Sequence, residues 1–252
     1  MMSAATIILI LLVGIIAGFI NILAGGGSLL TLPVLIFLGL PSALSNGTNR
    51  IAIMAQNITA ILSFRQSGIF HWKLGLLLAL PAVIGSIFGA HAAIDLSDEA
   101  FNRILSIVMI MVLLVLVFRP HKQIRSRGVQ LQLRQKVALV FIFLLIGFYG
   151  GFIQAGVGFL IISALSLFTQ LNLVHINSLK VFIVGIYMFT SLAVFIINDQ
   201  VHWLYGITLA IGTSIGGYLA SRFAVKKGEK WVRIILIVVV IAMSIRLWYI
   251  SS

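Results

Sequence analysis

The chain has 252 residues, of which 61% are hydrophobic and 9% charged, with a mean hydropathy of +1.19. So little polar surface cannot cover a water-soluble globule of this size, which places the chain in a bilayer. The net charge of +12 would point to nucleic acid in a soluble protein, but in a bilayer the distribution of the charge decides its meaning. With no cysteine there is no disulfide and no thiolate metal site.

Residues 5–23 form the first apolar run. It lacks a basic flank, exceeds a signal-peptide core in length and precedes no small-x-small cleavage pattern, so it is expected to be a retained helix. Asn21-Ile-Leu-Ala-Gly25-Gly26-Gly27-Ser28 then breaks the pattern before a short apolar segment, 29–40. Twelve residues at about 1.5 Å each reach some 18 Å, short of the roughly 30 Å of hydrocarbon. The polar stretch Ser45-Asn46-Gly47-Thr48-Asn49-Arg50 precedes an apolar helix from Ile51 to Phe64. That helix spans only about 21 Å, so crossing needs part of the polar stretch inside the slab, with Arg50 partly buried. Runs 74–94 and 104–118 follow, separated by an acidic loop with Asp95, Asp98 and Glu99.

A linker with Arg119, Lys122, Arg125, Arg127, Arg134 and Lys136 and no acid leads to run 137–153. A second break, Gln154-Ala-Gly156-Val-Gly158, opens another short segment, 159–171, and a polar stretch, His175-Ile-Asn177-Ser178-Leu-Lys180, leads to runs 181–197, 204–220 and 232–250. The later loop carries Arg222, Lys226, Lys227, Lys230 and Arg233 against Glu229.

Residues 24–118 and 155–249 are two copies of one unit at an offset of 131, in register through Gly25/Gly156, Gly27/Gly158, Phe37/Phe168, Asn46/Asn177, His71/His202, Trp72/Trp203 and Gly85/Gly216. Duplicated apolar units broken at the same place have the organisation of a secondary transporter. Basic residues mark the cytoplasmic side. Placing the linker and the later basic loop there puts 14 of the 17 Lys and Arg residues inside, leaving Arg50, Arg103 and Arg246 outside with Asp95, Asp98, Glu99 and Asp199. Corresponding loops then have opposite character, so the repeats are expected to be inverted, with both termini outside the cytoplasm and each short segment forming a hairpin with the helix before it.

The expected fold is an all-α polytopic membrane protein with eight to ten membrane-embedded helices. Residues 1–118 form one repeat with a Gly-broken helix or hairpin and three transmembrane helices, 119–136 a cytoplasmic linker, and 137–252 the inverted repeat. Irregular backbone at membrane depth must line protein or a water-filled cavity, and the half-helices beginning near Ser28 and Phe159 aim their positive ends at it, which suits an anion. All five carboxylates fall in expected loops, as do His71, His121, His175 and His202, while His91 closes a helix. Nothing inside the bilayer then opposes a positive field. The candidate substrate residues are Asn21, Gly25, Gly26, Gly27, Ser28, Asn46, Thr48, Asn49, Arg50, Gln154, Gly156, Gly158, Asn177, Ser178 and Lys180. A cation near the bilayer centre usually faces a pathway, whereas Lys180 could equally be a snorkelling interfacial residue.

Gly14/Gly18 and Gly85/Gly89 read as helix-packing pairs. Gly212-Thr-Ser214-Ile-Gly216 matches the hydrolase elbow G-x-S-x-G, but it falls in a helix among small residues, where no strand-to-helix turn exists. No catalytic residue, metal site or cofactor motif is assigned.

Gly25-Gly-Gly27-Ser-Leu-Leu-Thr-Leu-Pro33-Val-Leu35, with Gly39-Leu-Pro41 and Gly47-Thr-Asn49, resembles the opening repeat of the TauE/SafE family of membrane transporters. The second repeat departs from the pattern, with Val157 in place of a Gly and Ala164 where Pro33 would align. The resemblance implies a multi-pass transporter of the bacterial inner membrane that exports sulfite, sulfonates or related small anions. Its partners are then the anion and the lipid bilayer, with a homo-oligomer left open and no nucleic acid. An anion channel and a non-transporting scaffold subunit remain alternatives.

Overall fold

The computed structural model describes residues 2–66, 71–118 and 131–223. The expectations for His121, Glu229, residues 119–130 and the run 232–250 lie outside these. Among the described residues the chain is all-helical. The first half holds α1 (Ala4–Ala24), α2 (Ser28–Phe37), α3 (Ser42–Gln66), α4 (Trp72–Ile94) and α5 (Asp98–Phe118). The second holds α6 (Leu133–Phe152), α7 (Val157–Phe168), α8 (Leu173–Ile197) and α9 (Trp203–Phe223). Both ends of α3 map onto the ends of α8 at the offset of 131, and the starts of α4 and α9 match likewise.

Several expected boundaries move. The polar stretches 45–50 and 175–180 are the first turns of α3 and α8 rather than leaders to them, because their backbone groups at that depth are best satisfied within a helix. His175 is therefore helical and not in a loop. Asp98 and Glu99 form the acidic first turn of α5, where they complement the helix dipole. Helix α6 begins at Leu133, inside the stretch expected as linker, and opens with a reciprocal cap between Gln132 and Gln135.

Four of the described helices, α1, α4, α6 and α8, are long and apolar enough to cross a bilayer. Their outward faces are apolar at helical spacing: Ile8, Leu12 and Ile16 on α1, Leu76, Leu80, Ile84 and Phe88 on α4, and Phe141 and Leu145 on α6 are exposed. In water such a belt would drive aggregation, whereas against acyl chains it is the expected surface.

Small residues bring the helices together. Gly14 and Gly18 lie against Leu209 to Thr213 of α9, and a Cβ on Gly216 would come 2.0 Å from the Ile15 carbonyl oxygen. This contact explains the G-x-S-x-G match as packing. Gly85 and Gly89 meet Leu144 and Phe148 of α6, while Gly147 and Gly151 meet Ala82 and Ser86. Thus α1 packs on α9 and α6 packs on α4, each running parallel to its partner, so the opening helix of each half lies against a late helix of the other.

The contacts also fix direction. Thr48 meets His202 and Ser63 meets Ser221, so α3 and α9 are parallel. Gly47 lies against Phe195, Arg50 against Ser191 and Ile61 against Gly185, so α3 and α8 are antiparallel. Helices α1, α3 and α9 run one way and α4, α6 and α8 the other. Since α1 and α3 are parallel, α2 must double back. Its start lies against Ala17 and Asn21, and its end packs with Ile10. At one face the Ser42 backbone N–H donates to Asp98 Oδ1 at 2.7 Å and the His202 N–H to Thr48 Oγ1 at 2.9 Å, which gathers Asp95, Asp98, Glu99 and Asp199 together. At the other, the His71 and His175 rings stand 5.2 Å apart, with Lys73 two residues after His71 in the first turn of α4.

Candidate functional site

The two breaks meet back to back. Gly25 ends α1 in the left-handed region at φ 86°, and a Cβ there would stand 2.5 Å from Gly158 Cα. Gly158 returns the contact, since its own Cβ would lie 2.3 Å from Gly25 Cα. Only glycine permits both the conformation and the approach. In the second break Gln154 and Gly156 take positive φ of 66° and 72°. Gln154 is held there by the Tyr187 hydroxyl, which donates to its Oε1 at 2.8 Å, and the Tyr149 hydroxyl donates to the Ala155 carbonyl.

Each break leaves a helix carboxyl end with unsatisfied carbonyls inside the protein. Arg50, fully buried, serves the end of α6: one guanidinium nitrogen donates to Gly150 O at 3.1 Å and Ser191 Oγ at 2.7 Å, the other to Gly151 O and Asn46 Oδ1. Its guanidinium also lies over the Phe195 ring, 4.4 Å from the centroid. Asn46 adds a hydrogen bond from Nδ2 to Phe152 O at 2.6 Å. Lys180, 3% exposed, serves the end of α1, donating to Asn21 O at 2.9 Å and Ile22 O at 3.1 Å. Each half therefore supplies the cation that caps the other half's broken helix, where the negative end of the dipole favours it. Lys180 is not a snorkelling interfacial residue.

The four described carboxylates, Asp95, Asp98, Glu99 and Asp199, are exposed. Asp98 and Glu99 are occupied at the surface by Ser42 and Arg103. Neither buried cation has a carboxylate partner among the described residues.

Beside the first break, α1, α2, α3 and α9 line a small, partly open cavity with room for about one water molecule. Ala17, Asn21, Gly27, Ser28, Thr31, Asn49, Ile53, Gln56 and Thr213 line it. Asn21 Nδ2 donates to Gln56 Oε1 at 3.0 Å, Gln56 Nε2 to Gly18 O at 2.7 Å, and Thr213 Oγ1 to Ala52 O at 3.0 Å. The Thr31 hydroxyl donates to Asn49 Oδ1 at 2.6 Å, and Asn49 Nδ2 is buried without a partner.

Of the sequence candidates, the structure thus brings Asn21, Gly27, Ser28 and Asn49 into one cavity and pairs Gly25 with Gly158. Gly26 is buried in the turn between α1 and α2. Asn46 and Arg50 sit on the end of α6, and Lys180 on that of α1. Gln154 and Gly156 hold the second turn. Thr48 is bonded to the start of α9, Ser178 Oγ donates to His175 O at 2.8 Å, and Asn177 Oδ1 is buried without a partner. Sequence reasoning missed Thr31, Gln56 and Thr213, polar residues within helices. One signal was available: Asn49, Ile53 and Gln56 recur at helical spacing on one stripe of α3.

A multi-pass helical protein with broken helices meeting in its interior and a polar cavity beside them has the build of a membrane transporter. The chain belongs to the family described as "Sulfite exporter TauE/SafE", whose profile matches residues 10–247. It is similar to "Probable membrane transporter protein ORF9" of Sinorhizobium sp, 28% identical over 92% of this chain and 88% of that protein. The "Probable membrane transporter protein YfcA" of Escherichia coli (strain K12) is 26% identical over 99% of this chain and 92% of its own length. For YunE of Bacillus subtilis (strain 168) the identity is 25%, over 96% and 97%. No solved structure matches the chain.

Proposed function

We propose that this protein is a secondary transporter that exports a small anion, sulfite or a sulfonate, across the bacterial cytoplasmic membrane. The observation that carries the reading is the pair of buried cations, Arg50 and Lys180, capped onto helix ends with no described carboxylate beside them. In a low-dielectric interior these two charges make the region of the breaks attractive to an anion and hostile to a cation. The family name and the relatives' names support transport as the activity and sulfite as a first substrate to try.

Two inverted repeats are supported by direction: α3 and α8, and α4 and α9, are equivalent in sequence, α1 and α6 precede them in equivalent positions, and the members of each pair run oppositely. The sidedness follows from charge, with the face of Asp95, Asp98, Glu99 and Asp199 outside and that of Arg65, Lys73, Arg134 and Lys136 cytoplasmic. Both chain termini then lie outside, and eight to ten helices are embedded. A monovalent anion leaving a negative-inside cell gains about 2.3 kcal/mol per 100 mV, so export needs no coupling ion.

Purified protein in liposomes, with the potential set by a potassium gradient, tests this. Saturable sulfite efflux that grows with the inside-negative potential is expected. Absence of saturable flux for sulfite and for sulfonates overturns the transporter reading, and efflux that stops when the proton gradient alone is collapsed overturns uniport.

A further inference from the structure

The space that is a polar cavity beside the first break is filled beside the second. Shifted by 131 residues, the lining positions Ala17, Asn21, Ser28, Thr31, Asn49 and Gln56 become Phe148, Phe152, Phe159, Ile162, Lys180 and Tyr187. Phe159 and Tyr187 are buried at 3% and 0% exposure, the Tyr187 hydroxyl is spent on Gln154, and Lys180 turns away onto the end of α1. The repeat symmetry of the backbone is therefore absent from the hydrogen-bonding groups.

Within the first cavity most donors are also committed. Asn21, Gln56, Thr31 and Thr213 each donate to a protein acceptor. Two groups are left over. Asn49 is fully buried and its amide nitrogen has no partner, while its oxygen, held by Thr31, fixes the amide in place. The Ser28 hydroxyl makes no hydrogen bond among the described residues, and Ser28 is the first residue of the ten-residue α2, whose amino end has no side-chain cap. A buried donor left unmade costs about 1–3 kcal/mol, and here it stands at the positive end of a helix dipole. That combination calls for an anionic acceptor.

We infer that anion recognition is one-sided: when the cavity widens beyond the single water it has room for here, the Asn49 amide and Ser28 hydroxyl at the amino end of α2 take the oxyanion head of a monovalent anion, and the second break holds none. This rests on the transporter reading for its physiological sense. The charge limit follows from the lining. Its free donors are neutral and few, and the two buried cations are already bonded to helix carbonyls. A dianion carries a far larger desolvation cost and needs more compensation than two donors and a dipole provide.

Methanesulfonate, a monoanion at all working pH values, and sulfate, a dianion, are the probes. Binding is read as thermal stabilisation of the detergent-purified full chain, and flux in liposomes. Methanesulfonate should bind and be transported, with sulfate at least tenfold weaker as a competitor. Asn49→Asp, which replaces the amide donor by a carboxyl group of the same volume, should weaken methanesulfonate binding at least tenfold, and Ser28→Ala about threefold or more. Tyr187→Phe should leave it within twofold. Ser28→Ala serves alone if Asn49→Asp does not fold. Binding within twofold of wild type in both Asn49→Asp and Ser28→Ala, or sulfate binding as tightly as methanesulfonate, overturns the inference. Binding without flux supports the pocket while removing the transporter reading; flux indifferent to Asn49 and Ser28 does the reverse.

Discussion

Replacing Arg50 with lysine keeps the charge and removes the fork, which separates a helix-capping role from a substrate-binding one. The two guanidinium nitrogens stand at two places, one serving Gly150 and Ser191, the other Gly151 and Asn46. A single ammonium can occupy only one of them. Two hydrogen bonds from a charged donor are then lost, at about 1.5–3 kcal/mol each, so Arg50→Lys should cost about 3–6 kcal/mol. Against a typical total of about 5–15 kcal/mol that is a large share. Unfolding in mixed micelles with rising dodecyl sulfate, followed by tryptophan fluorescence, measures it. A variant within about 1 kcal/mol of wild type but with an altered KM for its anion would refute the capping argument and return Arg50 to the substrate.

Three further outcomes follow from the contacts. Gly158→Ala should destabilise by about 1–3 kcal/mol through overpacking against Gly25, and Gly25→Ala by about 1–2 kcal/mol more because of its left-handed φ; the same unfolding assay ranks them. Tyr187→Phe strands the buried Gln154 carbonyl oxygen and should cost about 1–3 kcal/mol, seen as a lower unfolding midpoint. For sidedness, the absence of cysteine lets one introduced thiol report alone: Ser97→Cys should react with an impermeant maleimide in intact cells, and Gln132→Cys only after lysis. The opposite pattern would invert the proposed topology.

Much of the fold was legible because it depends on local chemistry. The glycine clusters at 25–27 and 156–158 mark the two breaks, with Gly25 and Gly156 taking the left-handed turns, and α2 and α7 are short because the apolar runs are short. That α3 and α8 are equivalent was legible from the 131-residue register, while their packing on each other was not. What the sequence could not disclose was where the polar side chains would spend their hydrogen bonds. Arg50 reads as a pathway residue until Gly150 and Gly151, 100 residues away, prove to be its acceptors. Lys180 reads as a substrate residue or a snorkelling interfacial one until α1 ends beneath it. Thr213 enters the cavity only because α9 packs on α1, which no local pattern dictates. The acidic turn of α5 was misplaced for the opposite reason: Asp98 and Glu99 resemble loop residues but suit a helix amino end.

The exchanged caps on α1 and α6 bear on how such a chain is made. Arg50 enters the membrane roughly 100 residues before the end of α6 is synthesised. At about 5–20 residues per second it waits some 5–20 s without its acceptors. The end of α1 waits longer still for Lys180. During translation the first half is thus a lone insertion intermediate with an unpaired charge and an open helix end, dependent on the translocon or on transient water for shelter. Neither half, expressed alone, has the groups to finish its own interior, so biogenesis of the two is a single event.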